Sequence, residues 1–287
     1  MELSMWKSSG QFFDWKGYSI FVQDTAASNK PVLLFIHGFP TASYDFHLLW
    51  PELAETHRLI AFDMLGYGYS DKPRTWQHSI FNQADIAEAL LKSKGIHECT
   101  MITHDVGDTV GQELLARHAE GKLGFRLKRV VMFNGGLFPE THRAILVQKL
   151  LLSPLGFVFS RLMKKEKLAA SLRSVCSAGL SDADIDAAWA LMAHKKGNLC
   201  MHLLIQYMRE RRENRDRWVV ALQKADMPFT LIDGTDDPIS GEHMVQRFEE
   251  LVPGKQTIRL AGLGHYPHLE DAPKVLVALR PRLLGSN

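Results

Sequence analysis

Only three cysteines occur in the 287 residues, Cys99, Cys176 and Cys200. An odd, widely spaced set fits reduced thiols in a cytoplasmic protein better than a disulfide framework. Long hydrophobic runs are missing too. The longest apolar stretch, residues 31–36, has the length of a strand and falls far short of the about 20 residues that a membrane span needs. Residues 1–11 hold no apolar core of a secretory leader, so none is expected. Nor is there an excess of charge of one sign. Lys and Arg number 34 against 32 Asp and Glu, a net of +2, which gives neither nucleic acid nor a membrane an electrostatic basis as partner. None of the 13 histidines stands at the two-His helical spacing of a zinc site or beside paired cysteines, so no metal is expected. Residues 66–68 lack the third glycine of a dinucleotide-binding turn, and no phosphate-binding loop, repeat or low-complexity tract occurs, so no cofactor is expected either.

What is present is a globular composition, 46% hydrophobic, long enough for one large domain or one domain with an insertion. Short apolar runs at 18–22, 32–36, 58–62, 100–103, 130–133, 229–232 and 257–260 read as strands. Helical patterns lie between them, as at 80–92, and at 108–118 with Val110, Leu114 and Leu115 on one face. This alternation implies a mostly parallel sheet with helices on both faces. It breaks once, from about Gly136 to Trp218, where only helical pattern is found. One helix there opens on Ser181-Asp182-Ala183-Asp184, which resembles a capping box, with Ile185, Trp189 and Met192 on one face. The mixed charges of 209–217 read as a solvated helix face. The expected division is a core of residues 1–135 and 217–287 and a helical lid of 136–216. Ligands of open parallel sheets bind beyond the carboxyl ends of the strands, where a lid would enclose them.

His104-Asp105-Val106-Gly107 directly follows one strand run and precedes a helical pattern. Asp105 there has an ordinary reading as a helix N-cap or Asx turn. It has a chemical one as a nucleophile. A carboxylate that attacks carbon makes an alkyl ester, which restricts the substrate to electrophilic sp³ carbon such as an epoxide or alkyl halide. Three further strand ends carry polar groups: His37-Gly38-Phe39-Pro40, Gly234-Thr235-Asp236-Asp237-Pro238 and Gly262-Leu263-Gly264-His265-Tyr266-Pro267. Each alone is a common turn sequence. Together they set nucleophile, acid and histidine in a working order, with the Phe39 and Val106 amides as an oxyanion hole.

These motifs resemble the α/β-hydrolase superfamily, and within it the epoxide hydrolase and haloalkane dehalogenase branch. The nearest resemblance is to the subfamily of the mesoderm-specific transcript protein of animals and its bacterial relatives. The residues that carry it are 6–10 (WKSSG), 37–45 (HGFPTASYD), 63–74 (DMLGYGYSDKPR), 79–81 (SIF), 104–108 and 134–143 (NGGLFPETHR). It is weakest at 153–198. It implies an eight-stranded, mostly parallel sheet, with Asp105 as nucleophile, His265 as general base, and Asp237 rather than Asp236 as the acid that orients it. His37 and His104 are placed at the substrate. Classical dehalogenases of the branch bear halide-binding donors at the positions of Phe39 and Val106, which have none. Tyr207 matches a lid tyrosine that activates an epoxide oxygen; its plain reading is an aromatic anchor of the lid. No second lid tyrosine is evident, and His202 or His194 stand as substitutes. The expected activity is epoxide hydrolysis on a small apolar electrophile, by a cytoplasmic monomer or homodimer. The alternatives are another hydrolysis on the same triad, as of a haloalkane or haloacid, and a silent protein that binds a small ligand.

Overall fold

The computed structural model describes residues 1–75 and 77–283. Its strands are β1 (Gln11–Trp15), β2 (Tyr18–Asp24), β3 (Val32–Ile36), β4 (Arg58–Phe62), β5 (Glu98–His104), β6 (Arg126–Phe133), β7 (Phe229–Asp233) and β8 (Gln256–Arg259). They form one sheet in the order β1-β2-β4-β3-β5-β6-β7-β8. Pairing is antiparallel between β1 and β2 and between β2 and β4, and parallel across the rest. The unbroken apolar runs make two cores. In β3, Leu34 and Ile36 join one cluster while Leu33 and Phe35 join the other, and β4 divides Ile60 and Phe62 from Leu59 and Ala61 in the same way. A period of two on a sheet covered on both faces has that result.

One strand has no counterpart among the apolar runs. β1 is an edge strand whose outer side is open, with Phe12 57% exposed, so it lacks the signature of a buried run. It forms because Lys16 (φ 53°) and Gly17 (φ 82°) both take left-handed backbone and reverse the chain in two residues, pairing Trp15 with Tyr18.

Between β6 and β7 there are helices and no strand, including Leu146–Leu152, Gly156–Arg161, Lys165–Arg173, Asp182–Ala193 and Tyr207–Glu213. Ser181 caps the fourth of these, its Oγ accepting from the Asp184 amide at 3.1 Å. The box is one-sided: Asp184 is too short to reach back to the Ser181 amide and instead takes the hydroxyl's own hydrogen bond at 2.5 Å. The next helix, Arg215–Lys224, returns to the sheet layer. Trp218 Nε1 donates to buried Glu113 at 2.9 Å, and Arg217 pairs with the same carboxylate, which ties it to the Val106–Ala119 helix. Among the described residues no helix is long and apolar enough to cross a membrane.

Candidate active site

At the end of β5 the chain turns at Asp105 with φ 51° and ψ −107°. Holding a non-glycine residue there costs about 1–3 kcal/mol, so the surroundings must enforce it. They do so by close packing. Gly107 lies against the Ile36 carbonyl with no room for a Cβ, and a Cβ on Gly38 would stand 2.8 Å from the Cβ of Asp105. The Asp105 side chain makes no capping bond to the helix it precedes. Instead its Oδ2 accepts from the Phe39 amide at 2.8 Å. The N-cap reading is thereby removed. Val106 is the first residue of that helix, so its amide has no intrahelical acceptor and belongs to the positive end of the helix dipole. Tyr266 fixes the Phe39 loop from behind by donating its hydroxyl to the Phe39 carbonyl at 3.1 Å.

His265, after β8, donates from Nδ1 to Asp237 Oδ2 at 2.7 Å, and both side chains are buried. Asp236 is exposed, with its carboxylate toward Thr235 and the Gly262 amide. Asp237 is held on all sides. Its Oδ1 accepts from the Ile239 amide at 2.7 Å, and its Oδ2 from Ser240 Oγ at 2.8 Å and Asn134 Nδ2 at 3.2 Å. Burial works to lower the His265 imidazole, but the Asp237 carboxylate outweighs it, with Asp105 adding to the effect, and holds it at about 9. Burial likewise works to raise Asp237, and the His265 charge keeps it below the ordinary carboxylate range.

This elbow and paired acid and histidine sit on a sheet of known kind. Residues 31–154 match the family model described as alpha/beta hydrolase fold. The chain is 39% identical to the mesoderm-specific transcript homolog protein of Bos taurus over 94% of its own length and 84% of that protein. The chain belongs to the α/β-hydrolase fold family. It is also 34% identical to the "Putative hydrolase LipZ" of Mycobacterium tuberculosis, over 94% of its own length and 93% of the relative. In three dimensions it is similar to a loop variant of the haloalkane dehalogenase DbeA from Bradyrhizobium elkanii. The TM-score is 0.80 at 20% identity, covering 95% of each chain, a likeness that concerns the fold.

In this α/β-hydrolase, His37 and His104, both expected at the substrate, make hydrogen bonds to the surrounding backbone. His37 donates from Nδ1 to the Gly38 carbonyl at 2.8 Å and accepts the Met64 amide on Nε2 at 3.0 Å, so both nitrogens are taken. Burial keeps it neutral by lowering its pKa. His104 donates from Nε2 to the His265 carbonyl at 2.8 Å and thereby holds the histidine loop. His37 follows β3 and His104 ends β5. His202 meets Ser160 Oγ at 3.1 Å and His194 packs edge-on to Tyr69.

Tyr207 is 1% exposed, and its hydroxyl has no hydrogen-bond partner. Its ring lies 6.0 Å from that of Phe39 and 5.0 Å beneath the Arg211 guanidinium. Burial pushes its phenol up, and the Asp105 charge adds to this. A second phenol, Tyr67, stands edge-on to His37 at 5.1 Å and to Phe39 at 6.5 Å. It too is raised by burial, with Tyr207 and Asp105 contributing. A cavity opens over His265 and Tyr266, walled by Phe39, Ile145, Leu151, Met163, Leu172 and Met201 among others.

Among the described residues one buried group of potential metal ligands occurs, Asp45, His104 and His268, with ligand atoms within 4.8 Å of one another. Burial lowers His104, lowers His268 to about 3 and raises Asp45.

Sequence reasoning passed over Asn134, Ser240, Tyr67 and Glu270. Asn134 directly follows β6 and was legible by the same strand-end rule that found the others. Glu270 carried no local signal, because its work is done across the fold. It accepts the Ser177 and Ala178 amides at 2.8 Å, Gly264 at 3.0 Å and Tyr266 at 3.2 Å, fastening the His265 loop to the helical segment. Glu270→Ala leaves these four amides without their acceptor. The expected loss of stability is about 2–3 kcal/mol, read as a lower melting temperature, with turnover reduced because His265 is less well held.

Proposed function

We propose that this α/β-hydrolase opens epoxides to vicinal diols through an alkyl ester on Asp105. The observation that carries the reading is a carboxylate, not a hydroxyl, at the apex of the strained turn, touching an oxyanion-hole amide and free of any capping role. An Asp105 oxygen attacks one epoxide carbon, the carbon–oxygen bond of the ring breaks, and the ring oxygen takes the Tyr207 proton. His265 then removes a proton from water, which attacks the Asp105 carboxyl carbon. The Phe39 and Val106 amides hold the oxyanion, worth about 3–4 kcal/mol per donor. Collapse expels the diol oxygen, which is protonated by His265, and the proton left on Asp105 restores the Tyr207 phenol.

The resting charges support this order. Asp105 is one of the groups that raise His265, and esterification abolishes that charge. The imidazole thus becomes a readier base once the ester exists. Phe39 and Val106 offer no side-chain donor to a departing halide, which argues against dehalogenation. The helices between β6 and β7 act as the cap, and its apolar wall suits a small uncharged electrophile. The three cysteines are unpaired, in keeping with a cytoplasmic location.

Assaying diol formation from aryl and alkyl epoxides beside halide release from haloalkanes tests the proposal. Halide without diol overturns the epoxide reading, and binding of epoxides without turnover supports a silent binder. In the Tyr207→Phe protein, alkylation should slow by about 10²-fold while ester hydrolysis is unchanged, as expected for loss of a general acid. Unchanged alkylation would return Tyr207 to a packing role and move the proton donor to Tyr67.

A further inference from the structure

The segment that walls the cavity has a second face. Eleven large apolar side chains are exposed among the described residues, and five of them, Leu146, Leu155, Phe157, Val158 and Leu162, fall within seventeen residues of the cap. Leu155, Val158 and Leu162 share one side of the Gly156–Arg161 helix and its ends, by their spacing of three and four. Leu146, 71% exposed, opens the neighbouring helix. A cluster of this kind on an otherwise polar surface marks an interaction site.

Charge is concentrated at the same place. Residues 143–173 hold seven basic side chains and one acidic, Glu166, a net of +6 in a chain of net +2, so the remainder of the molecule is negative. Lys165 and Arg173 are paired with Asp186 and Asp182. Arg143, Lys149, Arg161, Lys164 and Lys167 are exposed and, among the described residues, lack a carboxylate within 4.0 Å. The inner sides of the same elements, through Val147, Leu151, Met163 and Leu168, line the cavity.

We infer that this outer face of the cap docks on an anionic phospholipid surface. Exposed leucines and a phenylalanine enter the boundary between headgroups and acyl chains, while the lysines and arginines around them meet lipid phosphates. A second copy of this chain is a poor occupant, because a two-fold contact sets five unpaired cations against five more. The even overall charge balance hides the site. Docking there places the apolar cavity wall next to the phase in which an apolar substrate is most concentrated, whichever bond the enzyme breaks.

The full chain is tested by flotation with vesicles of phosphatidylcholine alone or mixed with phosphatidylglycerol. It should float with the mixed vesicles, bind neutral ones about tenfold less, and be released by salt. Replacing the three exposed residues together (Leu155→Ser, Phe157→Ser, Leu162→Ser) should weaken binding at least about tenfold with no fall in melting temperature, since these side chains pack little. Lys164→Gln with Lys167→Gln should weaken it about fivefold per cation removed. The inference is overturned if the native chain floats with neither vesicle, or if both variants bind as tightly as it does. It is also overturned if sedimentation shows a dimer that the triple serine variant splits, which makes the face an interface between copies. Retention on immobilised polyglutamate without flotation assigns it to an acidic protein instead.

Discussion

Incubated with an epoxide substrate, the His265→Gln protein should gain the mass of that substrate at Asp105 and release almost no diol. The two half-reactions ask different things of the site. Alkylation needs the Asp105 carboxylate, held at its turn by the Phe39 amide, and a donor to the ring oxygen. Hydrolysis needs a base for water, and His265 is the imidazole that the Asp237 pair orients for that work. Removing the base should slow the second step by about 10²–10⁴-fold and leave the first nearly intact, so the ester accumulates. Intact-mass and peptide mass spectrometry read the adduct and its position. In the native enzyme, one turnover in heavy-oxygen water should place the label in the Asp105 carboxylate, since water attacks that carbon. Label found only in the diol would falsify covalent catalysis by Asp105.

Asp237→Asn should reduce turnover by about 10³–10⁴-fold while the fold is retained. The amide can still approach His265 Nδ1, but it supplies no charge and favours the wrong tautomer. The Asp237 carboxylate lifts His265 against burial to about 9, above its ordinary 6.5. Near neutrality the resting imidazole is therefore protonated, and its base form grows as pH rises towards 9. Hydrolysis starts from the ester, in which the Asp105 charge is gone, so its rising limb should lie below that value, and in Asp237→Asn it should move lower still. A merely structural change would lower the rate without moving the limb. Stability follows the opposite sign. A histidine whose folded pKa is raised contributes its full stabilisation below about 6.5 and loses it as pH climbs through about 9. The lowered Asp237 contributes above its ordinary 3.8 and loses that contribution in acid.

Most of the sheet was legible along the chain because each of its inner strands is covered on both faces. A strand such as β3 shows a continuous apolar run whose alternate residues feed two cores. β1 escaped because one side of an edge strand meets solvent and its pairing depends on the Lys16-Gly17 reversal. The helical segment after β6 was legible from the absence of strands, since a missing pattern over some eighty residues is itself a signal. Membership of the α/β-hydrolase fold family followed from motifs at strand ends, where the backbone requirements of a sharp turn leave few residues that fit.

The amino-acid sequence by itself determined which residue types stand at the three strand ends, Asp105, Asp237 and His265, because the order of strands and loops is a property of the chain. It also pointed to the Phe39 amide, directly after β3, and the structure pairs β3 with β5 so that the two turns lie side by side. Tertiary structure alone decided where the side chains of those turns point. His37 and His104 occupy strand ends as His265 does, yet a backbone group from a distant segment claims the Nε2 of each. Asp236 and Asp237 are adjacent and identical in type, and only the second meets Asn134, Ser240 and His265. The exposed apolar and basic side chains of residues 143–173 were equally invisible in a nearly neutral composition. Net charge sums over the whole surface, whereas a docking face depends on which charges the fold leaves together and unpaired.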